Sequence, residues 1–199
     1  MLIYIMETAQ FKIIEGKVPV LISAPHVYPC KRPNISGMYK SGEVYTKDIV
    51  EQVCADTSAF GIYLNDECHY DPNYHKERKN EYKQAVRDII KQYKIERFID
   101  IHGLKDGNYD FGLYYTTRFS KSLNFAYEIE KGLDKGKLNG VSIEIFRFLD
   151  NGQETLGEFV ASKLRIPAVQ IEIARYIRND EELREGFVEN LSEIVKNYI

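Results

Sequence analysis

A chain of 199 residues, 44% apolar and 29% charged, suits a single globular domain over residues 1–199 and excludes a disordered or fibrous protein. With 27 Lys and Arg against 30 Asp and Glu, the net charge is -3 and no Lys/Arg block exceeds two, which argues against nucleic acid as a partner. No apolar run approaches the roughly 18–20 residues that cross a bilayer, so a cytoplasmic protein with no membrane partner is expected.

Apolar, β-rich runs at residues 11–14 and 18–23, separated by Glu15-Gly16-Lys17, predict a hairpin. Further strands are expected at 62–64, 97–101, 111–116, 141–145 and 168–173. Helical periodicity falls between them, over 43–59, 81–93, 119–131, 154–163 and 180–198. Alternation of helix and strand after an initial hairpin predicts a three-layer α/β/α fold around a central mixed sheet. Runs such as 18–22 and 98–101 are apolar at nearly every position, which places them mid-sheet with helices on both faces. Cys30, Cys54 and Cys68 are odd in number with no C-x-x-C pair, and read as free thiols. The stretch 109–115 resembles an aromatic RNA-stacking strand, but the negative net charge favours a Tyr-rich core strand.

Polar residues interrupt three of the buried strands. Asp100 and His102 sit two residues apart and therefore share one face of the run 97–101 and its continuation. A buried carboxylate needs a partner, and a neighbouring imidazole N–H supplies one. The run 18–23 ends in Ala24-Pro25-His26, with Pro25 stopping the ladder and holding the histidine just past the strand end. In Val169-Gln170-Ile171-Glu172-Ile173, Gln170 and Glu172 alternate against β-branched residues on a face that should be dry.

Ligands of open α/β sheets bind outside the carboxyl ends of strands, where all three interruptions fall. Two imidazoles and a carboxylate with one position open form the ligand set of a catalytic zinc site, and a further carboxylate nearby can act as general base. His26 and His102 are the imidazole candidates. Glu43, at the expected start of the first long helix, is the preferred third ligand, with Asp48 and Glu172 as alternatives; an ordinary acidic first turn is the competing explanation of Glu43. The cluster Cys68-His69-Tyr70-Asp71-Pro72-Asn73-Tyr74-His75 matches no standard zinc spacing and reads as a loop with turn chemistry at Asp71-Pro72-Asn73, placed to line a pocket.

In order along the chain, Ser23-Ala24-Pro25-His26, Asp71-Pro72-Asn73, Ile99-Asp100-Ile101-His102-Gly103 and Pro167 to Ile173 resemble the N-formylglutamate amidohydrolase family over about residues 18–180. The resemblance implies a zinc-carboxypeptidase-like α/β/α fold, shared with poly-γ-glutamate hydrolases, and cleavage of amide bonds next to a carboxylate. It also implies zinc on His26 and His102, Glu172 as catalytic carboxylate, Asp100 behind a ligand, and an arginine, either Arg78 or Arg175, on the substrate carboxylate. After His26 the chain reads Val27-Tyr28-Pro29-Cys30 where many relatives have glycine. The expected activity is a metal-dependent amidohydrolase acting on N-formylglutamate or another small N-acyl amino acid. Poly-γ-glutamate or peptide hydrolysis is the alternative within that class, and a non-catalytic ligand-binding α/β module the alternative outside it.

Overall fold

The structure is a computed structural model that describes residues 5–7, 10–32, 39–107, 109–116, 119–149 and 154–198. Its strands are β1 (Ile5–Glu7), β2 (Phe11–Ile14), β3 (Val18–Ala24), β4 (Cys30–Lys31), β5 (Tyr39–Lys40), β6 (Ala59–Leu64), β7 (Arg97–Gly103), β8 (Phe111–Tyr115), β9 (Ile143–Arg147) and β10 (Ala168–Ile173). The α-helices are α1 (Thr46–Thr57), α2 (Glu81–Tyr93), α3 (Ser120–Leu133), α4 (Leu156–Phe159), α5 (Arg175–Asn179) and α6 (Glu181–Lys196). Eight strands form one mixed sheet in the order β1-β2-β6-β3-β7-β10-β8-β9. The central strands β6, β3, β7 and β10 run parallel, with β8 antiparallel to β10 and β2 antiparallel to β6.

Burial follows from pattern. In α2, Tyr82, Val86, Ile89 and Ile90 recur at helical spacing and are buried, while the Asn80 side chain accepts the Lys83 N–H and caps the helix start. Together with Leu156 and Phe159 of α4, these residues close one face of the sheet. Ile49 and Val50 of α1, Phe125 and Ile129 of α3, and Phe187 and Leu191 of α6 close the other. A three-layer α/β/α fold around a mixed sheet results, as the alternating pattern predicts. Cys30, Cys54 and Cys68 are buried free thiols.

The structure corrects the sequence reading at three places, the hairpin, the start of the first helix and the helix at 154–163. Residues 11–14 and 18–23 do not form a hairpin: β6 lies between β2 and β3 and bonds both. The connector crosses the start of β6, where Lys17 and Val18 donate N–H groups to the Ser58 carbonyl. A Cβ at Gly16 would collide with backbone atoms of Ser58 and Ala59, so only glycine fits that crossing. The first helix starts at Thr46, because Tyr45 has a left-handed backbone (φ 64°) that stops it short of Glu43. The expected helix at 154–163 is one short α-turn over Leu156–Phe159 followed by a π-turn over Val160–Leu164. Residues 180–198 hold α6, with Asp180 capping Leu183 N–H, and a separate short helix α5 precedes it.

Candidate metal centre

The parallel strands β3, β7 and β10 end at the same sheet edge. His26 follows β3 after the Pro25 break, His102 closes β7, and both side chains are buried. Glu43 reaches the same point from the loop ahead of α1. Its N–H donates to the His26 carbonyl (2.8 Å), and its Oε2 accepts the Gly103 N–H (2.8 Å), so backbone at both strand ends fixes the carboxylate. Arg178 braces this edge from below: its buried guanidinium donates to the carbonyls of Ile173, Val44 and Leu104, tying the β10 end to the two loops.

The far nitrogen of each imidazole is engaged. His26 Nε2 lies 2.8 Å from Asp71 Oδ1, an acceptor, so Nε2 carries the proton. Asp71 is fully buried; its Oδ2 accepts Arg32 Nε–H at 2.5 Å and its Oδ1 also accepts the Asn73 N–H at 2.9 Å. Burial alone would push this carboxyl up, but the His26 bond and the Arg32 guanidinium hold it well below the usual carboxylate range. Two neighbours compete for His102 Nε2: Asp100 Oδ2 at 3.0 Å accepts a proton, and Asn73 Nδ2 at 2.8 Å offers one. A bond to a carboxylate is roughly twice as strong as one between neutral groups, and Asp100 Oδ1 is buried with no hydrogen-bond partner, so the proton sits on Nε2 and goes to Asp100. Asn73 accepts the Leu156 N–H (2.6 Å) through its oxygen and donates its amide to Gln170 Oε1 (3.5 Å).

These assignments leave both Nδ1 lone pairs aimed inward. The two Nδ1 atoms lie 3.1 Å apart, and Glu43 places Oε1 3.4 Å from His26 Nδ1 and Oε2 3.4 Å from His102 Nδ1. Two lone pairs and a carboxylate facing one buried point repel unless a cation lies between them. Ligands at 2.0–2.2 Å around tetrahedral zinc are about 3.3–3.5 Å apart, so the triangle His26, Glu43, His102 fits that ion. A second potential group, His26, Cys30 and Asp71, shares His26. Its Asp71 is already committed to Arg32, Asn73 and the His26 Nε2 proton, so the Nδ1 side is the better cation site.

The remaining sequence candidates lie at different depths. Glu172 pairs in register with His102 on the adjacent strand, so the two side chains leave the same sheet face about 5 Å apart. Its Oε1 accepts an N–H from Gln170 at 2.7 Å, and the carboxylate lines a cavity with Tyr114 and Thr155. Asp48 is exposed on α1. Arg78 stands exposed in a 3-10 turn and Arg175 at the head of α5. Asp71 and Asn73 are the residues that pattern reading left in a turn; their one sequence signal is the Asp-Pro-Asn triplet among aromatic and histidine neighbours.

No protein-family description matches this chain, and no curated protein does. Solved structures do. Over 95% of this chain and 93% of the other, the fold superposes with TM-score 0.69 and 11% identity on the gene product Atu2144 from Agrobacterium tumefaciens. A bacteriophage poly-gamma-glutamate hydrolase gives 0.57 at 16% identity over 97% and 91% of the two chains. The catalytic domain of CwlV, an N-acetylmuramoyl-L-alanine amidase from Bacillus (Paenibacillus) polymyxa var. colistinus, gives 0.56 at 15% identity over 90% and 97%. At such identities the likeness establishes the shared α/β fold.

Proposed function

We propose that this chain is a zinc-dependent hydrolase of an amide bond in a small, carboxylate-bearing substrate of the N-acyl amino acid type, N-formylglutamate included. One observation carries the reading: two buried Nδ1 atoms 3.1 Å apart, each 3.4 Å from an oxygen of Glu43. The similarity of fold to a poly-gamma-glutamate hydrolase and to an amidase supports the same chemistry. His26, Glu43 and His102 would hold the ion, which when bound acts as a Lewis acid on the amide carbonyl. Asp71 and Asp100 keep the imidazoles in the tautomer that presents Nδ1. Glu172, oriented by the Gln170 amide, takes a proton from the attacking water and returns it to the leaving nitrogen.

Hydrolysis of N-acyl amino acids with and without added zinc, together with zinc per chain, tests this reading. Glu172→Gln keeps shape and hydrogen bonding but removes the proton acceptor, so turnover should fall at least about a hundredfold with zinc content unchanged. Loss of zinc in that variant would make Glu172 a ligand instead. Full turnover would remove it from the chemistry.

A further inference from the structure

Beside Glu172 the sheet carries a row of rings, of which Phe148 packs against Gly157 of α4. Tyr114 of β8 stacks on Phe146 of β9 (centroids 4.9 Å apart) and meets Phe148 at 5.7 Å, while Tyr109 meets Phe146 at 5.0 Å and bonds the Tyr114 hydroxyl. All four rings are half-buried, unlike Phe111 and Leu113, which point into the core under α3; the stretch 109–115 is a core strand on one face only. Gly112, directly opposite Glu172, lets the rings lie close over the sheet: a Cβ there would lie 2.9 Å from both the Tyr109 and Tyr114 rings. A cavity of about 280 Å³ results, walled by Tyr114, Phe148 and Leu149, with Thr155, Glu158, Gln170 and Glu172 as polar groups and Arg147 at its edge. Leu149 at the rim is 73% exposed.

The side chains that turn charge into this cavity are the carboxylates Glu158 and Glu172, with the Lys83 ammonium acting on Glu158 from behind. Arg147 lies at its edge, but Phe146 and Phe148 both pack on Tyr114, so strand alternation turns the Arg147 side chain to the opposite face. Glu158 is anchored by the capping box with Thr155, and Glu172 by Gln170. Two carboxylates beside stacked rings repel an anion and favour a neutral, flat group with apolar faces.

We infer that this cavity is the specificity pocket of the proposed amidohydrolase and takes a neutral, ring-bearing side chain of the substrate, disfavouring a glutamate-like carboxylate there. The inference rests on the reading of Glu172 as the catalytic carboxylate. It narrows the N-acyl amino acid class: a substrate's main-chain carboxylate lies outside the pocket, and its variable group is aromatic or aliphatic rather than acidic.

Two substrate series test it on the zinc-loaded protein. One varies the leaving amino acid (N-acetyl-L-phenylalanine, -leucine, -alanine and -glutamate), and the other varies the acyl group (N-phenylacetyl- against N-acetyl-L-alanine). The same compounds are titrated calorimetrically into metal-free protein, where binding is read without turnover. A ring-bearing compound should lead in kcat/KM and in affinity, with the glutamate derivative last. Phe148→Ala should lower kcat/KM for the ring-bearing compound about tenfold, and by more than for N-acetyl-L-alanine. Glu158→Gln preserves the capping box, since glutamine also serves there, and should raise use of the glutamate derivative by up to about fivefold. A flat affinity profile, a preference for glutamate, or indifference to Phe148→Ala overturns the pocket assignment. A ring preference in binding without hydrolysis of any compound leaves the pocket standing and removes the amidase reading.

Discussion

Asp71 shows how a side chain hydrogen-bonded to the far nitrogen of a candidate ligand can set that ligand's tautomer. The carboxylate fixes the His26 proton on Nε2 and is itself kept ionised inside the protein by Arg32. Asp71→Asn keeps a side-chain oxygen but not the charge, and a competitive chelator titration should find zinc affinity about 10- to 100-fold weaker with the fold retained. Asp100→Asn should weaken it by a similar factor, because it acts on the other imidazole through the same kind of contact. An affinity unchanged in both variants would mean that tautomer control does not come from these carboxylates. At this scale the sequence was readable where polarity broke an apolar strand: Asp100, His102 and Glu172 stand out against isoleucine neighbours, whereas His26, just past the strand after Pro25, gained meaning only beside them. Glu43 was reachable only as one acid among several after a Gly-containing loop. Asp71 and Asn73 were read only as turn residues of a pocket-lining loop, with no role at the centre, because a turn residue that is buried looks in sequence like one that is exposed; only the folding back of the loop over β3 and β7 separates the two.

Elements were legible in proportion to their periodicity. Helix α2 matches its predicted span, since apolar spacing and an Asn cap agree. The segment after residue 154 misled, because the same apolar residues serve an α-turn and then a π-turn. Lys83 of α2 links these two regions: it is fully buried, donates to the Glu154 carbonyl at 2.5 Å, and lies over the Phe159 ring. Burial outweighs the pull of Glu154 and brings its ammonium down to about 8. An unfolded lysine titrates near 10.4, so between about pH 8 and 10.4 the unfolded chain binds more protons than the folded one, and folding stability rises with pH there. Compared with a Lys83→Met variant, the wild type should gain up to about 3 kcal/mol across that window in urea unfolding. A parallel pH dependence of the two proteins would show that Lys83 is charged and solvated as usual.

On the scale of the whole molecule, the alternating pattern predicted the layers but not the strand order, because local periodicity holds no information on which strand enters between two others. The candidate centre, in turn, draws its ligand-type side chains from three separate parts of the chain at residues 26, 43 and 102, so a zinc ion bound there would join elements that sequence keeps apart. Saturating zinc at about a thousand times its Kd should add about 4 kcal/mol, and stripping it with a chelator should lower the melting temperature by about 8–16 °C for a chain of this size. A melting temperature indifferent to chelation would argue that no ion spans these loops. The crossing at Gly16 has a different kind of consequence. Since β6 is bonded by β2 on one side and β3 on the other, the two strands nearest in sequence cannot zip together first; they must stay apart until a segment some forty residues downstream arrives. During synthesis the emerging N-terminal strands therefore wait as unpaired edges. A chain lacking β1 and β2 would leave β6, with all six residues buried in the intact fold, as a naked apolar rim ready to pair with a neighbour, which makes β2 the guard against self-association rather than a dispensable extension.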